Sequence, residues 1–346
     1  MIAVSLEMSD EPYFLPLPLK QPNTAMIITD SQFDTVYLSS YFLDIDKGNR
    51  LYPLQGMFRN MTDKLKAHNV RSAAVPRKDD YVMTGELSIW ARNYMPVQVS
   101  GRRFVQSTYS PDYLNAKKYL GHVPDKGWID RRIAEEAQVD DGSDFYLSYS
   151  DIVLDGGNIV RCGDHVVMTE KIFEENPGMS PARLLDQLEA FFSSEIVLLP
   201  WDRREIYGHT DGLLGYVGGN TIIYATYGIP EKNQADRRFN SSFLRRLVLK
   251  FDVQVLDFGS VDKEHPEEQL VDLRWAYMNW LQTGNLIIMP EFKDAPNSNE
   301  YARNLVSSVF GESGTWVEVE SVEATDLVKL GGCFNCASWT LKGVQR

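Results

Sequence analysis

The 346-residue sequence predicts an α/β protein built from five similar units in one closed body, a single domain spanning residues 1–346. Three observations predict it. Short apolar, strand-like runs recur at nearly even spacing. The stretches between them carry helical periodicity. No Ser/Gly-rich linker or low-complexity segment divides the chain.

In chain order, the runs are NTAMIITD (Asn23–Asp30), the looser WARNYMPVQV (Trp90–Val99), DHVVMTEK (Asp164–Lys171), NTIIYATY (Asn220–Tyr227) and NLIIMPEF (Asn285–Phe292). Their centres near 28, 96, 168, 224 and 288 lie 68, 72, 56 and 64 residues apart. Between the first two, Leu51 to Asn69 places Leu54, Met57, Met61 and Leu65 on one helical face. Between the third and fourth, Pro181 to Phe192 does so with Leu184, Leu185, Leu188 and Phe192, and Pro181 suits a first turn. Asn240–Leu249 and Asp272–Leu281 are further helix candidates. An open α/β sheet, in which strands and helices also alternate, is the competing arrangement.

Composition removes several functions. A hydrophobic fraction of 43% with 24% charged residues is that of a globular protein. A net charge of −13 argues against nucleic acid, whose phosphates demand Lys and Arg, and favours a cationic small molecule. The apolar runs are strand-length, so no membrane span is expected. Cys162, Cys333 and Cys336 are too few for a disulfide framework. Met1–Lys20 lacks a secretory pattern, and the expected location is the cytoplasm. The sequence does not fix the oligomeric state; a homo-oligomer is compatible with it.

Four segments carry candidate chemistry. Cys333 and Cys336 form a C-x-x-C after Gly331 and Gly332. That pair can be read as half a zinc site, a redox pair, buried inert thiols, or a nucleophile in a glycine-lined turn. A nucleophile needs a base. Among the five histidines, His209 stands out because Gly208 and Gly212 bracket it and Asp211 follows at i+2, on the same face of an extended segment. Asp155 precedes Gly156, Gly157 and Asn158 at the end of an apolar run, which is also ordinary turn chemistry. Arg92 and Asn93 sit between Trp90 and Pro96.

The ordered set W-x-R-[D/N]-x-x-P, D-G-G-N, G-H-x-D-G and G-G-x-x-x-C resembles the agmatine deiminase and bacterial peptidylarginine deiminase family of guanidine-modifying enzymes. The resemblance runs from about Val36 to Leu341. It implies the pentein fold, a five-bladed α/β propeller with pseudo-five-fold repeats. It also implies a hydrolase that splits a C–N bond at the guanidinium carbon of agmatine, arginine or peptidyl-arginine and releases ammonia; with agmatine, this is a step of putrescine biosynthesis. By that resemblance Cys336 attacks the carbon to give a thiouronium, and His209 serves as acid and base. Asp155 orients His209 and favours a Cys336 thiolate. Asp211 and Asn93 hold the guanidinium, with Arg92 beside them and Trp90 and Trp339 as walls. No metal or organic cofactor is implied.

The family normally has Asp where Asn93 stands and often Glu where Asp155 stands. The amide loses the charge that grips a guanidinium. The alternatives are therefore an impaired guanidine-binding or regulatory homologue, and an amidinotransferase. The substrate tail would be read by loops such as Ser107–Asp130 and Tyr227–Arg238.

Overall fold

A hairpin, a helix and a returning strand follow one another in units three, four and five of the chain. The computed structural model describes residues 27–42, 54–75, 89–113, 146–203, 206–226, 234–258 and 274–343. Within them, fifteen strands form five three-stranded sheets.

Unit one contains β1 (Thr35–Ser39), α1 (Leu54–Ala67) and β2 (Arg71–Val75). Unit two has α2 (Ala91–Tyr94), β3 (Val97–Ser100), β4 (Arg103–Thr108) and β5 (Tyr146–Val153). Unit three has β6 (Val160–Cys162), β7 (His165–Thr169), α3 (Lys171–Glu175), α4 (Pro181–Phe192) and β8 (Glu195–Leu199). Unit four has β9 (Leu214–Gly218), β10 (Thr221–Thr226), α5 (Gln234–Val248) and β11 (Asp252–Asp257). Unit five has β12 (Leu281–Gln282), β13 (Leu286–Glu291), α6 (Pro296–Glu312) and β14 (Glu318–Glu323). Then come α7 (Phe334–Ala337) and β15 (Ser338–Leu341).

In every sheet the central strand pairs antiparallel on one side and parallel on the other. The antiparallel partner is the preceding strand of a tight hairpin, whereas the parallel one requires a crossover. Unit one takes its antiparallel partner from the far end of the chain: β15 pairs with β1, placing Trp339 opposite Tyr37.

Local sequence explains the helices. Met57, Met61 and Leu65 of α1 recur at helical spacing and are buried. Before α4, the Ser180 hydroxyl accepts the Arg183 N–H, Pro181 fills the first turn, and Ser193 ends the helix in the left-handed region at φ 54°.

The central strands are covered on both faces, as strands beneath crossovers must be. Val166 and Met168 of β7 pack with Leu184, Leu188 and Phe192 of their own helix, while Val167 joins Leu214 and Tyr216 of unit four. Ile222 and Tyr224 of β10 pack on Phe243 and Leu247, while Ile223 and Ala225 face unit five. Phe104 of unit two shares a cluster with Tyr37 and Trp339 of unit one. One large cluster continues from unit four through unit five to Val36 and Leu38 of unit one.

Three expectations need correction. Within Asn23–Asp30, residues 23–26 lie outside the described residues and Ile27–Thr29 form no strand; the central strand of unit one is β1. Trp90–Val99 is a short helix plus β3, and β4 is the central strand. Both apolar runs belong to segments that precede the central strand, so hydrophobicity alone displaced the centres. Asp272 lies outside the described residues, and Arg274–Met278 is a 3-10 turn leading into β12 rather than a helix. The helix of unit five is α6.

Candidate active site

Each hairpin is entered through a short turn, and the five turns contact one another. They are α2, the 3-10 turns Gly156–Asn158, Thr210–Gly212 and Arg274–Met278, and α7. Each brings polar side chains inward: Asn93, Asp155, His209 with Asp211, Asn279, and Cys336.

Close approach at glycines makes the convergence possible. A Cβ on Gly157 would lie 2.5 Å from His209 Nδ1, and one on Gly332 would lie 2.5 Å from the Trp90 ring. A side chain at either position would expel a ring from the site.

Cys336 is buried, and its Sγ lies 3.5 Å from Asp211 Oδ2, which also accepts the Asn335 amide at 2.7 Å. His209 Nε2 lies 3.2 Å from Asp155 Oδ2, and the Tyr113 hydroxyl donates to the same oxygen at 2.6 Å. The shorter carboxylate of Asp155 therefore still reaches its histidine. One donor atom each from His209, Asp211 and Cys336 lie within 4.8 Å of one another. This His, Asp and Cys set could also ligate a borderline-soft divalent ion, with one ligand fewer than a closed zinc site needs. Asp155 Oδ1 is buried without a hydrogen-bond partner among the described residues, an acceptor available to a cation.

Burial, and then the Asp211 carboxylate, push the Cys336 thiol well above its ordinary pKa. Both effects oppose the thiolate that the resemblance implies. Burial and the Asp155 carboxylate likewise raise Tyr113 and Tyr109.

A cavity opens onto Cys336, His209 and Asn93, walled by Trp90, Tyr109, Tyr113 and Tyr207. Asn93 Oδ1 accepts the Gly157 N–H at 3.1 Å. One lone pair of its acceptor is therefore used, and the second lone pair and the amide N–H₂ remain for a ligand. Arg92 is not brought to this cavity. It bonds to Asn335 O and Thr340 Oγ1 and lines a second cavity with Trp339, whose Nε1 donates to Pro96 O.

Compared with known families, residues 60–341 match the Porphyromonas-type peptidyl-arginine deiminase family. The chain belongs to that family. Its members modify guanidino groups, and the four motifs of this member lie inside the matched span. No curated protein matches the chain. Solved structures resemble this deiminase-family member at low identity. Agmatine deiminase of Campylobacter jejuni is 16% identical with a TM-score of 0.63, over 92% of this chain and 96% of its own. Agmatine deiminase of Enterococcus faecalis gives the same values. An amidinotransferase of Microseira wollei from the saxitoxin biosynthetic pathway is 12% identical, with a TM-score of 0.58 over 94% and 98%. At such identities the likeness speaks for the fold alone, an α/β fold of five repeats.

Sequence reasoning missed Asn279. Its Oδ1 accepts the N–H groups of Cys333 and Cys336 at 3.1 and 3.2 Å, and its Nδ2 donates to Asp211 O at 3.4 Å. The signal was the repeat itself, which demanded a fifth polar turn ahead of β12. Tyr109 and Tyr113 came from the loop assigned to substrate recognition; residues 114–130 of that loop and 227–233 of the other lie outside the described residues.

Proposed function

We propose that this chain is a cysteine-dependent deiminase that hydrolyses the guanidinium carbon of a small cationic substrate such as agmatine, arginine or peptidyl-arginine. The observation that carries the reading is the Cys336–Asp211 contact beside the His209–Asp155 pair, in an aromatic-walled cavity of a protein from a guanidine-modifying family.

Asp211 grips the guanidinium nitrogens, which displaces the thiol from the carboxylate and sets a positive charge beside Sγ. That charge lowers the thiol pKa. The thiol proton passes to His209 while Sγ bonds to the guanidinium carbon. His209 then protonates the departing nitrogen, the C–N bond breaks, and ammonia leaves a thiouronium. A water gives its proton to His209 and attacks, the C–S bond breaks, and a ureido product and the free thiol result. Asp155, steadied by Tyr113, orients His209 and favours its protonated form. Trp90 walls the substrate.

On this reading the five sheets close into a five-bladed α/β propeller, a single domain over 1–346 with the site at its axis. The apolar clusters joining successive units, and units five and one, support it. The protein acts in the cytoplasm.

The test is a ureido-product assay with agmatine, arginine and an arginine peptide, alongside Cys336→Ser. Ureido product from the parent and none from the variant is expected. Equal product from both would overturn the reading. The neutral amide of Asn93, whose one oxygen already accepts the Gly157 N–H, favours a second reading, a guanidine-binding homologue without turnover. Such a site would show no ureido product and no rapidly alkylated thiol when a guanidinium ligand is present. Product that appears only with an added amine would indicate an amidinotransferase.

A further inference from the structure

We infer that the chain holds a second ligand site, a buried site for a halide-class monovalent anion, on the other side of α2 from the Cys336 cavity. The observation is a small cavity, with room for about one ion, whose charged lining residues are Arg92 and Arg161. Their side chains are only 10% and 4% exposed.

Both arginines share one counter-charge. Arg161 Nη2 donates to Asp30 Oδ1, and Arg92 Nη1 lies 3.7 Å from the same oxygen. Arg92 spends other donors on Asn335 O and Thr340 Oγ1. The hydrogen bond of Arg161 to Asp30 is its sole one among the described residues, and its guanidinium lies 4.5 Å over the Phe33 ring. A guanidinium carries five N–H donors, so Arg161 has several to offer the cavity.

Among the described residues, two cations and one carboxylate leave one positive charge without a counter-charge, on side chains largely withdrawn from solvent. Burial and the neighbouring Arg92 lower the Arg161 pKa to about 10, which still leaves it charged at neutral pH. Water can satisfy its N–H groups but cannot cancel the charge. The excess matches a monovalent ion rather than phosphate. The remaining walls include Met95, Val97, Ile159 and Trp339, apolar surfaces that suit a large, weakly hydrated halide.

The experiment uses the full chain with bromide as probe. Crystals grown in sodium bromide should show an anomalous peak within hydrogen-bond contact of Arg161. In solution, Tm should rise and saturate with bromide or chloride, but not with gluconate at matched ionic strength, which screens surface charges equally. Arg161→Gln should abolish the halide effect. Because that variant places an amide where a buried ion pair stood and can fail to fold, Asp30→Asn supplies the opposite arm. It removes the competing carboxylate and should move the halide midpoint at least tenfold lower. Identical halide and gluconate curves in both the parent and Asp30→Asn overturn the proposal, as does a bromide peak absent from the Arg161 cavity. Stabilisation by formate without any by bromide overturns the halide class.

Discussion

Asn93→Asp probes the motif position at which the family resemblance implies a carboxylate. Asn93 Oδ1 accepts the Gly157 N–H at 3.1 Å, and the side chain is 7% exposed. An aspartate of the same size can keep that bond with one oxygen and turn the other to the cavity. The change replaces an N–H₂ donor, which opposes the donors of a guanidinium, with a charged acceptor. Losing one partner of a buried charge pair costs about 2–5 kcal/mol. Recovering a modest share, about 1.4 kcal/mol, is a factor of ten. The kcat/KM for agmatine should therefore rise at least about tenfold, read by ureido product. The free protein should lose stability by about 1–3 kcal/mol, since the new carboxylate is buried near Asp155 and Asp211 without a cation. That loss should shrink as pH falls and the carboxyl is protonated. A natural substrate that is neutral at its reacting group predicts the reverse change in rate. Unchanged kcat/KM for every guanidinium tried, with turnover that still depends on Cys336, would refute the placement of Asn93 against the guanidinium.

Three further outcomes follow from the geometry. Cys336→Ser should abolish turnover and Cys333→Ser should keep most of it, because the buried Cys333 caps α7 without facing the cavity; exchanged outcomes would move the nucleophile. Asn279→Ala strands the buried N–H groups of Cys333 and Cys336, so urea denaturation should show a loss of about 2–5 kcal/mol, and kcat should fall more than KM rises. Burial and the Asp155 carboxylate raise the Glu175 pKa from 4.5 to about 8, despite Lys171 at 3.6 Å. In that window the unfolded chain has already released the proton that the folded chain keeps. Stability from Glu175 is therefore full below about 4.5 and lost as pH rises through about 8. Glu175→Gln should flatten that slope in urea midpoints taken across the range, and an unaltered slope would assign it to other groups.

The repeat was legible because every unit needs an apolar strand covered on two faces, and such strands stand out in sequence. The strands of units three, four and five fell within their predicted runs. Those of units one and two did not, because each lies beyond an apolar segment that packs without being the central strand. The candidate side chains were marked out for a different reason. Gly157, Gly208 and Gly332 are forced by close approach to His209, Lys171 and Trp90, and that constraint writes a glycine pattern around each motif. Asn279 has no such flank. Its turn packs against Cys333 and Asp211 through side-chain hydrogen bonds, which leave no compositional trace. Arg92 was misread because adjacency to Asn93 in sequence says nothing of direction: on the short helix α2 the two side chains serve different cavities.

The two departures from the family pattern consequently have unequal weight. At Asp155 the missing methylene is absorbed locally. The bare Gly157 lets the His209 ring approach, Tyr113 steadies the carboxylate, and the contact closes at 3.2 Å. At Asn93 no carboxylate among the described residues takes the place of the lost charge, and the amide oxygen already accepts the Gly157 N–H. The cavity nonetheless keeps a strong electrostatic preference. Asp155 and Asp211 sit beneath it, with the Lys171 ammonium tied down by Asp112 and the carbonyls of Ile206 and Tyr207. A cation is thus still favoured over a neutral ligand, while the geometry that would clamp both of its N–H edges is halved. On the proposed reading, such a site would bind guanidinium through Asp211 and the aromatic walls, and its rate would depend on how well those hold the carbon in line with Sγ.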